Sequence, residues 1–346
     1  MTANATARSI RSLMRKVEEG QKLNILTFAT HERYEENLCK TGHNFYSLKV
    51  GKEWDTSYAK VPQNYHIIEE LPSHVDFDVL LSHTACQRYQ YAHDMISETS
   101  GSITNRMSIP SILHTHVLPD IRRDIPSQIA GIKSINPTKR SFISDFSRSS
   151  WGFDDTSADV IEHGIDTDFW TIDGNANRDD VCLSVVNDWP NRDWCCGFNL
   201  WQRTAHKLPL RVYGKSPGLS EPANDIEHLR NISQNSSIFY NTSLPSPVPT
   251  VLMEAMACGC AVVSTATCMI PEIIKHGENG FISNNEVELR AYLEMLLNNP
   301  ALARKLGDKA RETIEERYGI NKFIKSWNKM LYETIENYSY INGDIR

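Results

Sequence analysis

Short apolar runs alternate along this chain with longer stretches whose apolar residues recur every three or four positions. Leu23-Asn24-Ile25-Leu26-Thr27-Phe28 predicts a first strand, followed by Ala29-Thr30-His31-Glu32-Arg33 and a helix to about residue 40. Thr41-Gly42-His43 ends that helix, and Asn44-Phe45-Tyr46-Ser47-Leu48 predicts a second strand. Strand, helix and strand in this order make one parallel βαβ unit. Further strands are predicted over 76–82, 109–113 and 141–144, with a helix over 84–98. Alternation of this kind predicts an α/β fold built on open, doubly wound sheets.

A polar stretch rich in Asn, Asp and Gly, residues 168–180, interrupts the pattern and reads as a linker. A second α/β set comes after it, with strands over 181–186, 210–213 and 237–240 and helices over 194–208 and 225–232. Next comes a loop, helix and strand in SLPSPVPTVLMEAMACGCAVVST. Pro247 and Pro249 keep the first part out of a helix, Thr250 is placed to cap the helix, and Gly259 stands where a helix stops. The N-terminus of such a helix can hold an anion, and Glu254 lies one turn inside it. The chain closes with helices over 286–297, 300–318 and 320–337. The last is amphipathic, with Phe323, Trp327, Met330, Leu331 and Ile335 largely on one face.

Composition narrows the classes. A length of 346 residues suits two domains, and a net charge of −7 leaves no overall basic footprint for nucleic acid. No apolar run reaches the ~18 residues of a membrane span, and the N-terminus lacks an apolar signal core. The eight cysteines (Cys39, Cys86, Cys182, Cys195, Cys196, Cys258, Cys260 and Cys268) show no CxxC pairs. They read as reduced thiols of a cytoplasmic protein rather than metal ligands.

Several landmarks fall in one order: Thr41-Gly42-His43; Leu113-His114-Thr115-His116; Ile143-Ser144-Asp145-Phe146-Ser147; Glu162-His163-Gly164-Ile165-Asp166; Glu254-Ala255-Met256-Ala257-Cys258-Gly259; Pro271-Glu272-Ile273-Ile274; and Gly277-Glu278-Asn279-Gly280-Phe281. This series resembles the family 4 (group 1) glycosyltransferases of the two-Rossmann-domain type, most strongly from Val251 to Phe281. The resemblance implies two facing Rossmann-like doubly wound domains with a cleft between them. It implies a nucleotide-sugar donor, UDP- or GDP-linked, transferred with retention and without a metal or other cofactor. The organisation expected is a polar extension over 1–21, an acceptor-side domain over 22–167, the linker over 168–180 and a donor-binding domain over 181–325. A C-terminal helix over 326–346 is expected to cross back to the first domain.

The resemblance also assigns residues. Glu254 matches the second glutamate of the family's paired-glutamate motif, which binds the ribose. The first glutamate is replaced by Ser246, which can hydrogen-bond a sugar but carries no charge. Thr250 and Val251 supply the remaining donors at the helix start. Arg192 is the counterpart of the phosphate-binding arginine, Cys196 stands at the lysine's place, and Lys215 is a cation at the mouth of the next strand. One of His114 and His116, with His116 favoured, matches the strand-end histidine near the sugar. His31, Glu32 and Arg33 replace the usual glycine-rich loop and, with His83, read as acceptor contacts.

The expected function is therefore retaining transfer of a hexose from a nucleoside-diphosphate sugar to a hydroxyl on a glycan, lipid-linked sugar or other acceptor. Two alternatives stay open. One is transfer to a modified base of DNA, which the acidic composition disfavours. The other is a non-catalytic nucleotide-sugar-binding protein, suggested by Ser246 and the missing lysine. The sequence leaves the oligomeric state undefined.

Overall fold

The computed structural model describes residues 17–49, 53–84, 109–174, 178–247 and 249–343. The expected helix over 84–98, Cys86 and most of the N-terminal extension therefore lie outside the described residues. The chain divides into two compact units: one runs to Glu162 and resumes at Phe323, and the other spans His163–Lys322. The stretch 168–180, expected to be a linker, falls within the second unit, and its last residues already belong to a strand.

In the first unit the strands are β1 (Asn24–Thr27), β2 (Asn44–Leu48), β3 (Tyr65–Ile68), β4 (Val79–Thr84), β5 (Ser111–Thr115), β6 (Lys139–Phe142) and β7 (Asp159–Val160). They form one sheet in the order β3-β2-β1-β4-β5-β6-β7, and the pairs are parallel. The order reverses between β1 and β4, the place where open α/β sheets bind ligands beyond their strand C-termini. Helix α1 (Glu32–Cys39) follows β1, α2 (Ile125–Ser134) follows β5 and α3 (Asp145–Ser150) follows β6. Leu26, Phe28, Phe77 and Leu80 pack on one side, and Leu113, Ile132, Phe142 and Trp151 form another cluster.

The second unit carries β8 (Asp179–Val185), β9 (Leu210–Tyr213), β10 (Ser236–Asn241), β11 (Ala261–Ser264) and β12 (Phe281–Ile282). Its order is β12-β11-β10-β8-β9, again parallel, with the reversal between β8 and β10. Helices α4 (Asp193–Cys196) and α5 (Phe198–Thr204) follow β8, where a single helix over 194–208 was expected. Gly197, at φ +62°, separates them, and a Cβ there would meet the Thr242 carbonyl oxygen at 2.1 Å. The other helices are α6 (Ile226–Gln234), α7 (Thr250–Ala257), α8 (Ile270–Ile273), α9 (Glu286–Leu297) and α10 (Pro300–Tyr318).

Helix α11 (Ile320–Gly343) starts in the second unit and continues as part of the first. Phe323, Trp327, Met330, Leu331, Thr334 and Ile335 are buried along one stripe, the pattern of a helix laid on a core. Its polar anchors in the first unit include Asn328 on His43 (3.1 Å) and the Tyr332 hydroxyl, which donates to the Gln21 carbonyl. Among the described residues no helix is long and apolar enough to cross a membrane, and the cysteines described are free thiols.

Candidate functional site

In the second unit, three loops meet at the C-terminal edge of the sheet around the β8/β10 reversal. The Lys215 N–H donates to Asn187 Oδ1 (2.8 Å) and the Asp188 N–H to the Lys215 carbonyl (2.8 Å), so the loops after β8 and β9 are zipped together. Gly214 permits the close approach, since a Cβ there would lie 2.1 Å from the Val186 oxygen. On the other side, the Leu244 N–H donates to the Cys195 carbonyl (2.9 Å), and the Thr242 hydroxyl donates to that of Cys196 (3.0 Å). The loop that leads into α7 is held from the strand beyond it. Thr265 and Thr267 both donate hydroxyl protons to the Ser243 carbonyl.

Pro249 is the N-cap of α7 and gives no side-chain cap, so Thr250 is the first helical residue rather than the cap expected of it. A helix start without a side-chain cap keeps N–H donors and the positive end of the dipole available to an anion. The other end of α7 is closed differently. Arg311 Nη1 donates to the carbonyls of Ala257 (2.5 Å) and Trp170 (3.0 Å), and the Arg178 guanidinium donates to those of Cys258 and Gly259. Two cations thus satisfy the last carbonyls and complement the dipole's negative end. Every residue of α7 from Val251 to Ala257 is buried, Glu254 among them.

Arg192 and Lys215 are exposed on these loops. Arg192 reaches only the Asn187 carbonyl, at 3.3 Å. Its neighbouring carboxylates are engaged elsewhere: Asp188 accepts from Asn191, and Asp193 accepts twice from Asn199. Among the described residues neither cation forms an ion pair. Cys196 is buried against Cys195, with the sulfurs 3.6 Å apart. Hydrogen bonding to Cys195 and then burial push its thiol pKa well up, so it stays neutral.

In the first unit, the reversal between β1 and β4 gathers aromatic rings. His31 is the N-cap of α1. Glu35, one turn on, accepts from the backbone N–H groups of Thr30 and His31 and from the Tyr65 hydroxyl. This back-bond from helix to cap resembles a capping box and fixes the loop after β1. The His31 ring stands edge-on to His116 at 5.2 Å between centroids, Tyr34 packs on His116 at 4.4 Å and His114 lies 4.5 Å from it. Among the described residues no three His, Cys, Asp or Glu side chains are set to hold a metal ion.

The direction of the hydrogen bonds here starts from a group with no choice. The Trp327 indole N–H can only donate, and it donates to the Tyr34 oxygen at 3.0 Å. Burial raises the Tyr34 pKa and keeps its proton on. The same hydroxyl lies 2.9 Å from His114 Nε2. On its other side, His114 Nδ1 lies 2.8 Å from Ser141 Oγ. The remaining pair is His83 Nδ1 and His116 Nε2, 2.8 Å apart.

Comparison with known proteins fits this edge geometry. Residues 221–313 match the family model for glycosyl transferases group 1. An uncharacterized glycosyltransferase of Haemophilus influenzae is 31% identical over 155 residues, which cover 39% of this chain and 44% of that protein. The alpha-maltose-1-phosphate synthase of Mycobacterium tuberculosis is 26% identical over 308 residues, 72% of this chain and 78% of the relative. Through its second unit, the chain resembles the group 1 glycosyltransferases. Its match to the Haemophilus protein spans less than half of that relative's length. Among solved structures, HepE of Anabaena in complex with UDP and glucose has a TM-score of 0.68 at 14% identity. The match covers 90% of this chain and all of HepE, and it shows that the fold is one of two Rossmann-like domains.

Within this fold, the residues singled out from the sequence separate into two sets. Ser246, Thr250, Val251, Glu254, Arg192 and Lys215 all lie on the loops and helix around the β8/β10 reversal or one strand beyond it. Ser246 is half-buried, and its hydroxyl donates only to the Pro247 carbonyl, at 3.3 Å. In the first unit, His31 is exposed beside His116. The others are more enclosed. Glu32 is buried and accepts the Asp55 N–H at 3.1 Å. His83 is buried and turned on His116. His114 is buried, with Nε2 on the Tyr34 hydroxyl and Nδ1 on Ser141 Oγ. Arg33 is half-buried; burial lowers it to about 10, which still leaves it charged at neutral pH. Tyr34, Glu35, Arg178 and Arg311 were not anticipated, and Trp327 was read only as part of the apolar face of the last helix.

Proposed function

We propose that the protein is a retaining glycosyltransferase that moves a hexose from a nucleoside-diphosphate sugar to an acceptor hydroxyl. The observation that carries this reading is the α7 start. A helix N-terminus without a side-chain cap opens at a sheet reversal, with buried Glu254 one turn inside and the cations Arg192 and Lys215 on the adjoining loops. In this reading, the diphosphate lies against the Thr250 and Val251 N–H groups and the two cations. Glu254 takes the ribose hydroxyls, and Ser246 meets the sugar. Departure of the diphosphate leaves oxocarbenium-like charge on the sugar, and N–H groups and cations already in place stabilise the leaving anion without reorganising. In the first unit, His116 with His31 beside it is the candidate substrate contact.

UDP is the nucleotide favoured, because HepE, of matching fold, is described with UDP and glucose. Acceptor hydroxyls on a glycan or a lipid-linked sugar suit the reading. Isothermal calorimetry tests the site. Glu254→Ala should weaken nucleoside-diphosphate binding by at least tenfold, since a carboxylate's hydrogen bonds to ligand hydroxyls contribute ~1.5–3 kcal/mol. Unchanged affinity would remove the assignment. A second reading, nucleotide-sugar binding without turnover, is favoured by one observation: the position of the phosphate-binding lysine holds the buried, neutral Cys196. Sustained turnover with any donor of a UDP- and GDP-sugar panel rejects it.

A further inference from the structure

His83 is buried, and it faces a protein side chain rather than a ligand-accessible surface. Its Nδ1 lies 2.8 Å from His116 Nε2, so one of the two nitrogens must hold a proton and the other must accept it. The remaining nitrogen of His83, Nε2, is buried and has no hydrogen-bond partner among the described residues. Two arrangements are possible. If the His83 proton sat on Nε2, a donor would be buried with nothing to receive it, and orphaned buried N–H groups are the rarer of the two defects. If it sits on Nδ1, only a lone pair is left bare. The second arrangement therefore prevails. His83 donates, His116 Nε2 accepts, and the proton of His116 itself is on Nδ1.

We propose that His83 is a positioning residue that fixes His116 as the neutral imidazole protonated on Nδ1. The inference rests on the reading of His116 as a site residue. It adds that His116 works as an uncharged ring of one tautomer, and neither as a cation nor as a base through Nε2. Protonating His116 would require His83 Nδ1 to become an acceptor, which moves the His83 proton onto the buried Nε2, which has no partner among the described residues. Burial already holds His83 itself neutral, down to about 3. The groups facing the His116 ring are His31 and Tyr34 at the start of α1, His83 on β4 and His114 on its own strand. His114 is hydrogen-bonded to Tyr34 through Nε2 and to Ser141 through Nδ1.

Nitrogen-15 NMR of the full chain with labelled histidine tests this without any substrate. The His116 signals are assigned by their loss in His116→Gln. In the wild type, His116 should show a protonated Nδ1 and a bare Nε2, and it should stay neutral below the ordinary histidine pKa of about 6.5. His83→Phe removes the donor, and His116 should then exchange tautomers and titrate near that ordinary value. His83→Asn, whose side-chain N–H stands close to the place of Nδ1, should restore the wild-type tautomer. A His116 protonated on Nε2 in the wild type would overturn the proposal whatever the variants do. So would an unchanged tautomer and titration in a folded His83→Phe. Transfer assays give a separate reading. His83→Phe should gain an acidic limb in its pH profile that the wild type lacks, whereas an inactive wild type would count against the transferase reading and leave the NMR result standing.

Discussion

The arginine seal on the C-terminal end of α7 makes a quantitative claim about the second unit. Arg311→Met keeps most of the aliphatic stem but removes the guanidinium. Two bonds to carbonyls are lost, at 2.5 Å to Ala257 and 3.0 Å to Trp170, with a longer one at 3.4 Å to Thr167. Hydrogen bonds from a charged donor contribute ~1.5–3 kcal/mol each. Three effects bring the sum below the simple total. Arg178 still covers Cys258 and Gly259, so the dipole is not left bare. The ion pair of Arg311 with Glu315 is an i,i+4 surface pair of small worth. Arg311 is also 17% exposed, so water can reach part of the vacated space. We expect a loss of about 3 kcal/mol, more than a hundredfold in the opening equilibrium. Arg311→Lys, which keeps a charge and one directed N–H, should lose about half of that. Native-state hydrogen exchange is the suitable assay because it resolves the two units separately. Amides of Ile238–Tyr240 and of Val262 and Val263, in paired β10 and β11, should lose protection, while those of Ile25 and Leu26 in β1 should not. A change under ~1 kcal/mol in the β10 amides, or an equal change in both units, would refute the account of α7 as a helix sealed by Arg311.

Two further outcomes can be measured on the same structure. Burial lowers His83 to about 3, below its value of about 6.5 in an unfolded chain, so the folded state rejects a proton that the unfolded state takes up. The first unit should therefore lose stability as pH falls below about 6.5, by roughly 2 kcal/mol at about pH 5. His43, lowered by burial, adds a loss of the same sign. The difference in urea midpoints between wild type and His83→Gln across that range isolates the His83 share, and parallel curves would contradict it. Separately, a Cβ at Gly307 would meet the Gly259 carbonyl oxygen at 2.0 Å, backbone that cannot swing aside. Gly307→Ala should cost ~1–3 kcal/mol by forcing α10 away from the α7–β11 turn, and a thermal melt within a degree of wild type would show that the contact is looser than this.

The alternation of strands and helices was legible because buried parallel strands are continuous apolar runs and the helices between them are periodic. Their ends were less so. The strand expected over 76–82 is Val79–Thr84, and that over 141–144 is Lys139–Phe142, since an apolar run does not say which of its residues pair. β3 was missed: Tyr65 is buried, but His66 and Ile67 are exposed at a sheet edge, and nothing in that pattern alternates cleanly. Helix α2 was missed as well, because Pro126 and Gly131 lower its propensity and only Ile132 is buried. Among the candidate site residues, Ser246, Thr250, Val251 and Glu254 could be singled out together because they lie within one short stretch of sequence. The histidines were placed at strand ends correctly, but their roles depend on which ring nitrogen faces which neighbour. Trp327 lies 293 residues from Tyr34, and no local pattern connects them.

The first unit is discontinuous along the chain, ending at Glu162 and resuming at Phe323. This has a consequence for biogenesis. A nascent chain can assemble β1 to β7 and then the whole of the second unit before α11 emerges from the ribosome. Until then Tyr34 lacks the Trp327 donor, His43 lacks Asn328, and the surface that takes the buried stripe of α11 is open to water. Closing so long a loop carries only a slowly growing entropic cost, so the last step is thermodynamically undemanding, but it comes last. The histidine cluster is therefore completed only after Trp327 has emerged, and any chain cut short before Trp327 leaves an uncovered apolar face of the kind that chaperones and proteases recognise.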